Sequence, residues 1–310
     1  MKTKRKYLQW ILLSLIVLAC DKTDDVMIPI ESPVTPVPGV DLVTLPVVIH
    51  VIHNGEEIGV GPNLSTERIL RQVEILNEDF RRKEGTRGFN EHPDGADTKI
   101  EFVLASLDSE SNPFEGINRV DASNMEVENL GYNQNHYAQY AYWDPNKYIN
   151  IWVTPLPEES ECLVLGSSTG PFTDLPGTEL LSIPQQGDAD GILVNWIHFG
   201  ESNINCQARY GRTLTHEMGH FFGLLHPWGG KDCEFNDYCD DTPAVDDAVF
   251  GRTPFEGCSG EPIMIANYMN YSDDEVMNIF TKDQAERMHY VLTHHEGRNS
   301  LMTSPALPNY

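Results

Sequence analysis

The stretch that decides the fold is HEMGHFFGLLH, residues 216–226. His216 and His220 are four apart, so on a helix they share one face, about 6 Å from each other and one turn on. Both imidazoles can then reach one metal ion at Zn–N distances of about 2.0–2.1 Å. Glu217 follows a ligand directly but points about 100° further round the helix. It stands beside the metal, where a base for an attacking water belongs. His226 cannot join on a continuous helix, which would carry it roughly 15 Å along the axis and onto another face. The chain must turn in between, and Gly223 is the residue there that accepts positive φ without cost. A helix that stops at Gly223 lets Leu224 and Leu225 bring His226 back. The plain alternative is an amphipathic core helix that happens to carry histidines. With this composition the full pattern arises by chance in about 1 of 10,000 such chains. The spacing therefore predicts a catalytic metal site: three imidazoles, an open fourth position and a carboxylate base.

HExxHxxGxxH is the signature of the metzincin metalloproteases, whose second mark is a methionine turn. Downstream, NYMNYSDD (Asn267–Asp274) carries Met269 and, two residues on, Tyr271. With DGILVNW (Asp190–Trp196), GRTLTHEMGH (Gly211–His220), DDTP (Asp240–Pro243) and FTKDQAERM (Phe280–Met288), the chain resembles the pappalysin family from about Leu42 to Leu292. The resemblance implies His216, His220 and His226 as zinc ligands and Glu217 as general base and acid. It implies Met269 as the floor of the active site and Tyr271 as a stabiliser of the oxyanion. It also implies that Asp274 lies at the base of the pocket for the residue after the scissile bond, with Arg or Lys preferred there. A carboxylate on the floor of a narrow pocket needs a partner for its charge, and a guanidinium supplies two hydrogen bonds. Alone, Met269 and Tyr271 would read as core packing, and Asp273 and Asp274 as a capped or solvated turn.

The chain of 310 residues opens MKTKRKYLQWILLSLIVLAC. A basic start and an apolar run from Ile11 to Ala19 describe a secretion signal over residues 1–19, too short to span a membrane. VLAC resembles a bacterial lipobox, whose cysteine is acylated, so Cys20 is the expected lipidation site and a lipid the only expected link to a membrane. Two alternatives are an incidental thiol after a plain signal peptide and a zinc-blocking propeptide cysteine, as in some pappalysins. Residues 20–40 include four prolines and show no helical or strand period, so they read as an extended tether.

The net charge is −26; residues 1–19 hold four Lys/Arg and no acid, so without them it is −30. That argues against nucleic acid and anionic lipid as partners. It suits cationic substrates or bound calcium, with a solvated surface as the default explanation. Setting Cys20 aside leaves Cys162, Cys206, Cys233, Cys239 and Cys258, an odd number, so at least one thiol is free or pairs elsewhere. Disulfides are expected in an exported chain. On the resemblance, Cys258 pairs with Cys233, with Cys239 as the competitor. A second family bridge is absent, because Val276 stands at one of its positions.

Residues 41–310 suit one catalytic domain. Val43–Gly55 alternates Val47, Ile49 and Val51 and predicts a strand; His50 and His53 within it read as structural. Ser65–Lys83 sets Ile69, Val73, Leu76 and Phe80 on one stripe behind a Ser65 cap, which predicts a long backing helix. Lys99–Leu107, Tyr148–Leu156 and Ile192–Trp196 read as further strands. Thr281 with Gln284 forms a capping box opening a helix to Thr293, with His289, His294 and His295 expected to be solvated or at its end. Seven acids between Asp232 and Asp247 occupy a loop-rich stretch that can bind calcium through hard oxygens, or simply face solvent.

The expected fold is α+β and metzincin-like. A mixed twisted sheet with its backing helix and active-site helix (upper subdomain, 41–226) stands above a loop-rich lower subdomain (227–310). The expected function is that of an exported zinc endopeptidase at a bacterial envelope or surface, taking peptide or protein substrates extended across the cleft. Two other readings share the motif. One is a surface lipoprotein with a structural zinc, against which Glu217 stands because a structural site does not need it. The other is a zinc hydrolase of non-peptide amides, against which only the pappalysin phrases stand. Oligomeric state is not legible here.

Overall fold

The computed structural model describes residues 41–156, 162, 165–231, 233–234 and 236–308. The expected signal and tether, with Cys20, and Asp232 of the acidic stretch lie outside them. β1 (Val43–His53) is buried on both faces from Leu45 onward, which is why it reads as a near-continuous apolar run. Its inward polar residue, His50, sits 2.9 Å from Asn150 Oδ1 and 3.0 Å from Asn118 Nδ2, so the buried ring is satisfied at both nitrogens. β2 (Ile100–Leu104) pairs with the first half of β1 and β3 (Ile117–Asp121) with the second half, both parallel. On the other side lie β4 (Ile149–Thr154) and then β6 (Ile192–Asn195), also parallel. β5 (Gly166–Ser168) closes that edge antiparallel to β6. The sheet is thus mixed, with a short antiparallel edge strand that the sequence pattern did not reveal.

α1 (Thr66–Phe80) buries Ile69, Val73, Leu76 and Phe80, and Ser65 Oγ accepts the Arg68 N–H at 3.3 Å as its cap. That stripe joins Val47, Ile49 and Val51 of β1 in the main core. Leu214, Met218 and Phe221 of α3 (Arg212–Phe221) enter the same core, so the helix carrying the histidines is packed against the backing helix and the sheet together. α2 (Gln134–Ala138) covers the opposite face, where Tyr137 meets Ile52, Trp152 and Leu193.

β7 (Phe250–Gly251) and β8 (Tyr271–Ser272) form a small parallel pair. α4 (Lys282–His294) opens on the capping box: Thr281 Oγ1 accepts the Gln284 N–H at 3.3 Å and Gln284 Oε1 accepts the Thr281 N–H at 3.1 Å. α5 (Glu296–Leu301) follows directly, and Met288, Leu292 and Leu301 complete the main core from below. His289 corrects the sequence reading. It is buried, with Nε2 2.6 Å from the Thr98 carbonyl, because that face of α4 meets the segment leading into β2. Among the described residues, no helix is long and apolar enough to cross a membrane.

Candidate active site

The histidine helix stops where the glycine requires. Phe222 is its C-cap, and Gly223 takes φ +88°. Gly223 N–H donates to the His220 carbonyl at 2.9 Å and Leu224 N–H to the Gly219 carbonyl at 3.0 Å, the paired bonds of a Schellman turn. Arg287 of α4 clamps this turn from below, its Nε donating to the Gly223 carbonyl at 2.7 Å. The reversal brings His226 back to the helix. The three Nε2 atoms of His216, His220 and His226 form a triangle with edges of 3.1–3.2 Å.

The donor chemistry fits a metal. His216 Nδ1 lies 2.7 Å from the Tyr268 carbonyl and His220 Nδ1 lies 2.8 Å from the Leu224 carbonyl. A carbonyl can only accept, so these Nδ1 atoms carry the protons and leave Nε2 lone pairs facing inward. Converging lone pairs repel unless a cation sits between them. Burial, and for His216 and His226 the neighbouring imidazole charge, lowers all three pKa values: His216 to about 3, His220 to about 4 and His226 well below its usual value. Each ring is therefore neutral and free to ligate. Zn–N bonds of about 2.0–2.1 Å at tetrahedral angles give edges of about 3.3–3.4 Å, so the triangle matches zinc within about 0.3 Å. Among the described residues, this trio is the one group of three or more His, Cys, Asp or Glu whose ligand atoms gather within 4.8 Å.

Met269 is fully buried beneath the helix and touches Gly219; a Cβ at position 219 would collide with the Met269 sulfur. Met269 N–H donates to Asn267 Oδ1 at 2.9 Å, and Asn267 exchanges two side-chain hydrogen bonds with Gln284 of the capping box. The turn that orients His216 is thus anchored on α4. Tyr271 sits over the trio, its ring 4.9 Å from that of His226 and 5.6 Å from that of His216. Burial, with the Glu217 charge, raises its phenol to about 12, which keeps the O–H a donor. Trp228 stacks on His226 at 4.3 Å and 11°.

Glu217, Tyr271 and Asp274 line one cavity of about 590 Å³ together with His216. Burial pushes Glu217 to about 8 in the chain alone, and a dication at the trio would oppose that by favouring the carboxylate. Asp274 also makes a contact that its sequence position does not suggest. Its Oδ2 accepts the Tyr210 N–H at 2.7 Å and the Arg212 N–H at 3.2 Å, so it caps the first turn of α3, where Gly211 has no side chain to do so. Burial raises Asp274 to about 6 despite those bonds.

Three further groups that hold the site escaped the sequence reading. Asp79 accepts Arg212 Nη2 at 3.0 Å and Thr215 Oγ1 at 2.7 Å, locking α3 to α1; its signal was an acid three residues after Leu76, on the apolar stripe. Gly219 was legible as a glycine inside a helix, a costly choice that implies a close neighbour. Gly166 of β5 lies against Glu217, and a Cβ there would stand 3.1 Å from Glu217 Cγ. Among the described residues two disulfides are formed: Cys233–Cys258, and Cys162–Cys206, a pairing that the cysteine spacing does not encode. Cys239 is a buried free thiol.

The family described as peptidase M43, pregnancy-associated plasma protein-A, matches residues 131–293, which span α2, the histidine helix, the methionine turn and α4. The chain belongs to the pappalysin family. Mature mirolysin of Tannerella forsythia, solved in complex with a cleaved peptide, is 30% identical over 87% of this chain and 100% of that one, with a TM-score of 0.66. A mutant of promirolysin from the same organism is 29% identical over 88% of each chain, with a TM-score of 0.68. An extracellular metalloprotease of Colletotrichum graminicola is 27% identical over 80% of this chain and 76% of its own length. This pappalysin has the α+β fold of the mirolysin structures, and it is a metalloendopeptidase acting on peptide or protein substrates. Its family implies a catalytic zinc.

Proposed function

We propose that this pappalysin cleaves peptide bonds with Glu217 as general base and acid, Tyr271 as oxyanion donor, and Arg or Lys preferred directly after the scissile bond. The observation that carries the reading is the single cavity in which a histidine of the trio, Glu217, Tyr271 and Asp274 all meet. His216, His220 and His226 would hold the zinc, which when bound would supply Lewis acidity towards the scissile carbonyl and the attacking water. Glu217 takes the proton of the attacking water and passes it to the leaving amine. The Tyr271 hydroxyl, kept protonated, donates to the developing oxyanion. β5 is the free edge of the sheet beside the cavity, and an extended substrate can add a strand there. Met269 supports the trio from beneath without touching substrate.

The Arg/Lys preference rests on Asp274, a buried carboxylate in the cavity wall. Oδ2 is taken up by the Tyr210 and Arg212 N–H groups, so a substrate cation would meet Oδ1, and Arg should exceed Lys because a guanidinium is more weakly hydrated and costs less to bury. Cleavage sites in a proteome-derived peptide library, read by mass spectrometry, test this. Asp274→Asn is the informative variant, since the amide oxygen still accepts the Tyr210 and Arg212 N–H groups while the charge is gone. The expected result is Arg, then Lys, after the cut in the wild type and loss of both preferences in the variant at unchanged zinc content. Leu or Phe dominating in the wild type, or an unchanged variant profile, rejects the pocket assignment.

The basic and apolar start and Cys20 support export with a lipid anchor, and relatives described as extracellular agree with export. For calcium, the acidic loop offers one support: Asp237 is buried with Oδ2 unpartnered while Oδ1 accepts Thr242 Oγ1 at 2.6 Å.

A further inference from the structure

The Cys162–Cys206 disulfide takes no part in the chemistry above, yet it lies at the lining of the cavity. Cys162 and Gln207, the neighbour of Cys206, both line it. Gly166 of β5 lines the same cavity and lies against Glu217. Cys206 belongs to the segment 201–210 that leads into α3. At its base this segment is closed by the Glu201–Tyr210 bridge and by the Ser202 N–H donating to the Arg209 carbonyl at 2.9 Å. Further along, the Gln207 carbonyl accepts the Asp274 N–H at 3.1 Å, and the Tyr210 N–H donates to Asp274 Oδ2 at 2.7 Å. Asp274 is therefore held by the same segment that the disulfide ties to Cys162 on the cavity lining. A long hydrogen bond, Gln207 Nε2 to the Cys162 carbonyl at 3.4 Å, runs beside the bridge and contributes little by comparison.

We propose that the Cys162–Cys206 disulfide is a positioning element of the substrate pocket, pinning the segment that holds Asp274 to Cys162 on the cavity lining. It thereby sets how tightly and how selectively the residue after the scissile bond is bound. This rests on the reading of the cavity as the pocket for that residue. The physical reason is preorganisation. A segment without helix or strand of its own samples several placements unless cross-linked, and each sampled placement weakens binding and blurs selection. The bridge lies outside the main core, and neither cysteine is a hydrogen-bond partner of His216 or His220, so zinc binding and the fold are expected to survive its loss. Cys233–Cys258 differs: neither of its cysteines lines the cavity.

The test is the Cys162→Ser/Cys206→Ser double variant of the full chain. Zinc content and the circular-dichroism spectrum should match the wild type, and kcat should stay within about threefold. KM for peptides carrying the wild type's preferred residue after the cut should rise about tenfold, and the preference over other residues should fall by a similar factor. Unchanged KM and preference overturn the proposal. So does a double variant that loses zinc or cannot be recovered folded, since the bridge would then hold the fold and not the pocket. Finding both thiols free in a non-reduced peptide map of the wild type overturns it as well. Preference is scored against whatever residue the wild type favours, so a failure of the Arg/Lys reading, seen in the wild-type profile itself, is distinguishable from a failure of this one.

Discussion

Replacing Gly166 by Ala puts a methyl group between the edge strand and the Glu217 side chain. The new Cβ would stand 2.7 Å from the Leu193 carbonyl oxygen, 3.1 Å from Glu217 Cγ and 3.2 Å from Thr213 Cγ2. Carbon contacts are comfortable at about 3.5–4.0 Å, so all three are too close. Leu193 lies opposite Ser167 in the β5–β6 ladder, so its carbonyl cannot retreat without breaking strand pairing. Relief must come from β5 moving outward or from Glu217 swinging away. Overpacking of this kind costs about 1–3 kcal/mol in stability. A shift of the base by up to about 1 Å lowers turnover by about 10- to 100-fold. The trio's ligands are not in the collision, so zinc content should be unchanged. Turnover of a quenched fluorescent peptide, zinc analysis and a thermal melt on the same sample give the answer. A variant with wild-type kcat refutes the reasoning: if the melt is also unchanged, the methyl has found room; if the melt falls, β5 alone has yielded and does not place Glu217.

His226→Ala should lower zinc content sharply, because two imidazoles on one helix remain without the third corner; full zinc occupancy by metal analysis would remove His226 from the ligand set. Removing zinc from the wild type should also change Trp228 fluorescence, since its indole stacks on His226. Burial depresses His50 from 6.5 to about 4. The unfolded chain therefore takes up the proton first as pH falls, so the stability from keeping His50 neutral is full above about pH 6.5 and lost as pH drops towards 4. The shift corresponds to about 3 kcal/mol as an order of magnitude. His50→Gln should flatten the fall of the melting temperature between pH 6.5 and 4.5 relative to wild type; parallel curves would show that His50 is not the titrating group.

The sequence was most legible where one residue type has one physical use. Gly223 had to end the histidine helix, and the Schellman turn it makes explains how His226 returns. Thr281 and Gln284 announced α4 because a capping box is a local interaction. The stripe of α1 was readable, but Asp79 on that stripe gained its meaning only from Arg212 and Thr215, more than 130 residues away. β3 and β5 are short, and their pairing with β1 and β6 is set by tertiary packing that no local period encodes. Asp274 shows the same limit from another side. Its place five residues after Met269 suggested a pocket floor, while its capping of α3 depends on a loop distant in sequence. The partner of Cys206 was invisible for a related reason: cysteine spacing does not encode pairing.

The most direct test of the central claim is the turnover of Glu217→Ala at measured zinc stoichiometry. The three histidines do not depend on this carboxylate, so the variant should keep one zinc per chain. Without the base, peptide cleavage should fall by about 100- to 10,000-fold. A zinc-replete variant retaining more than a tenth of wild-type turnover would contradict the account.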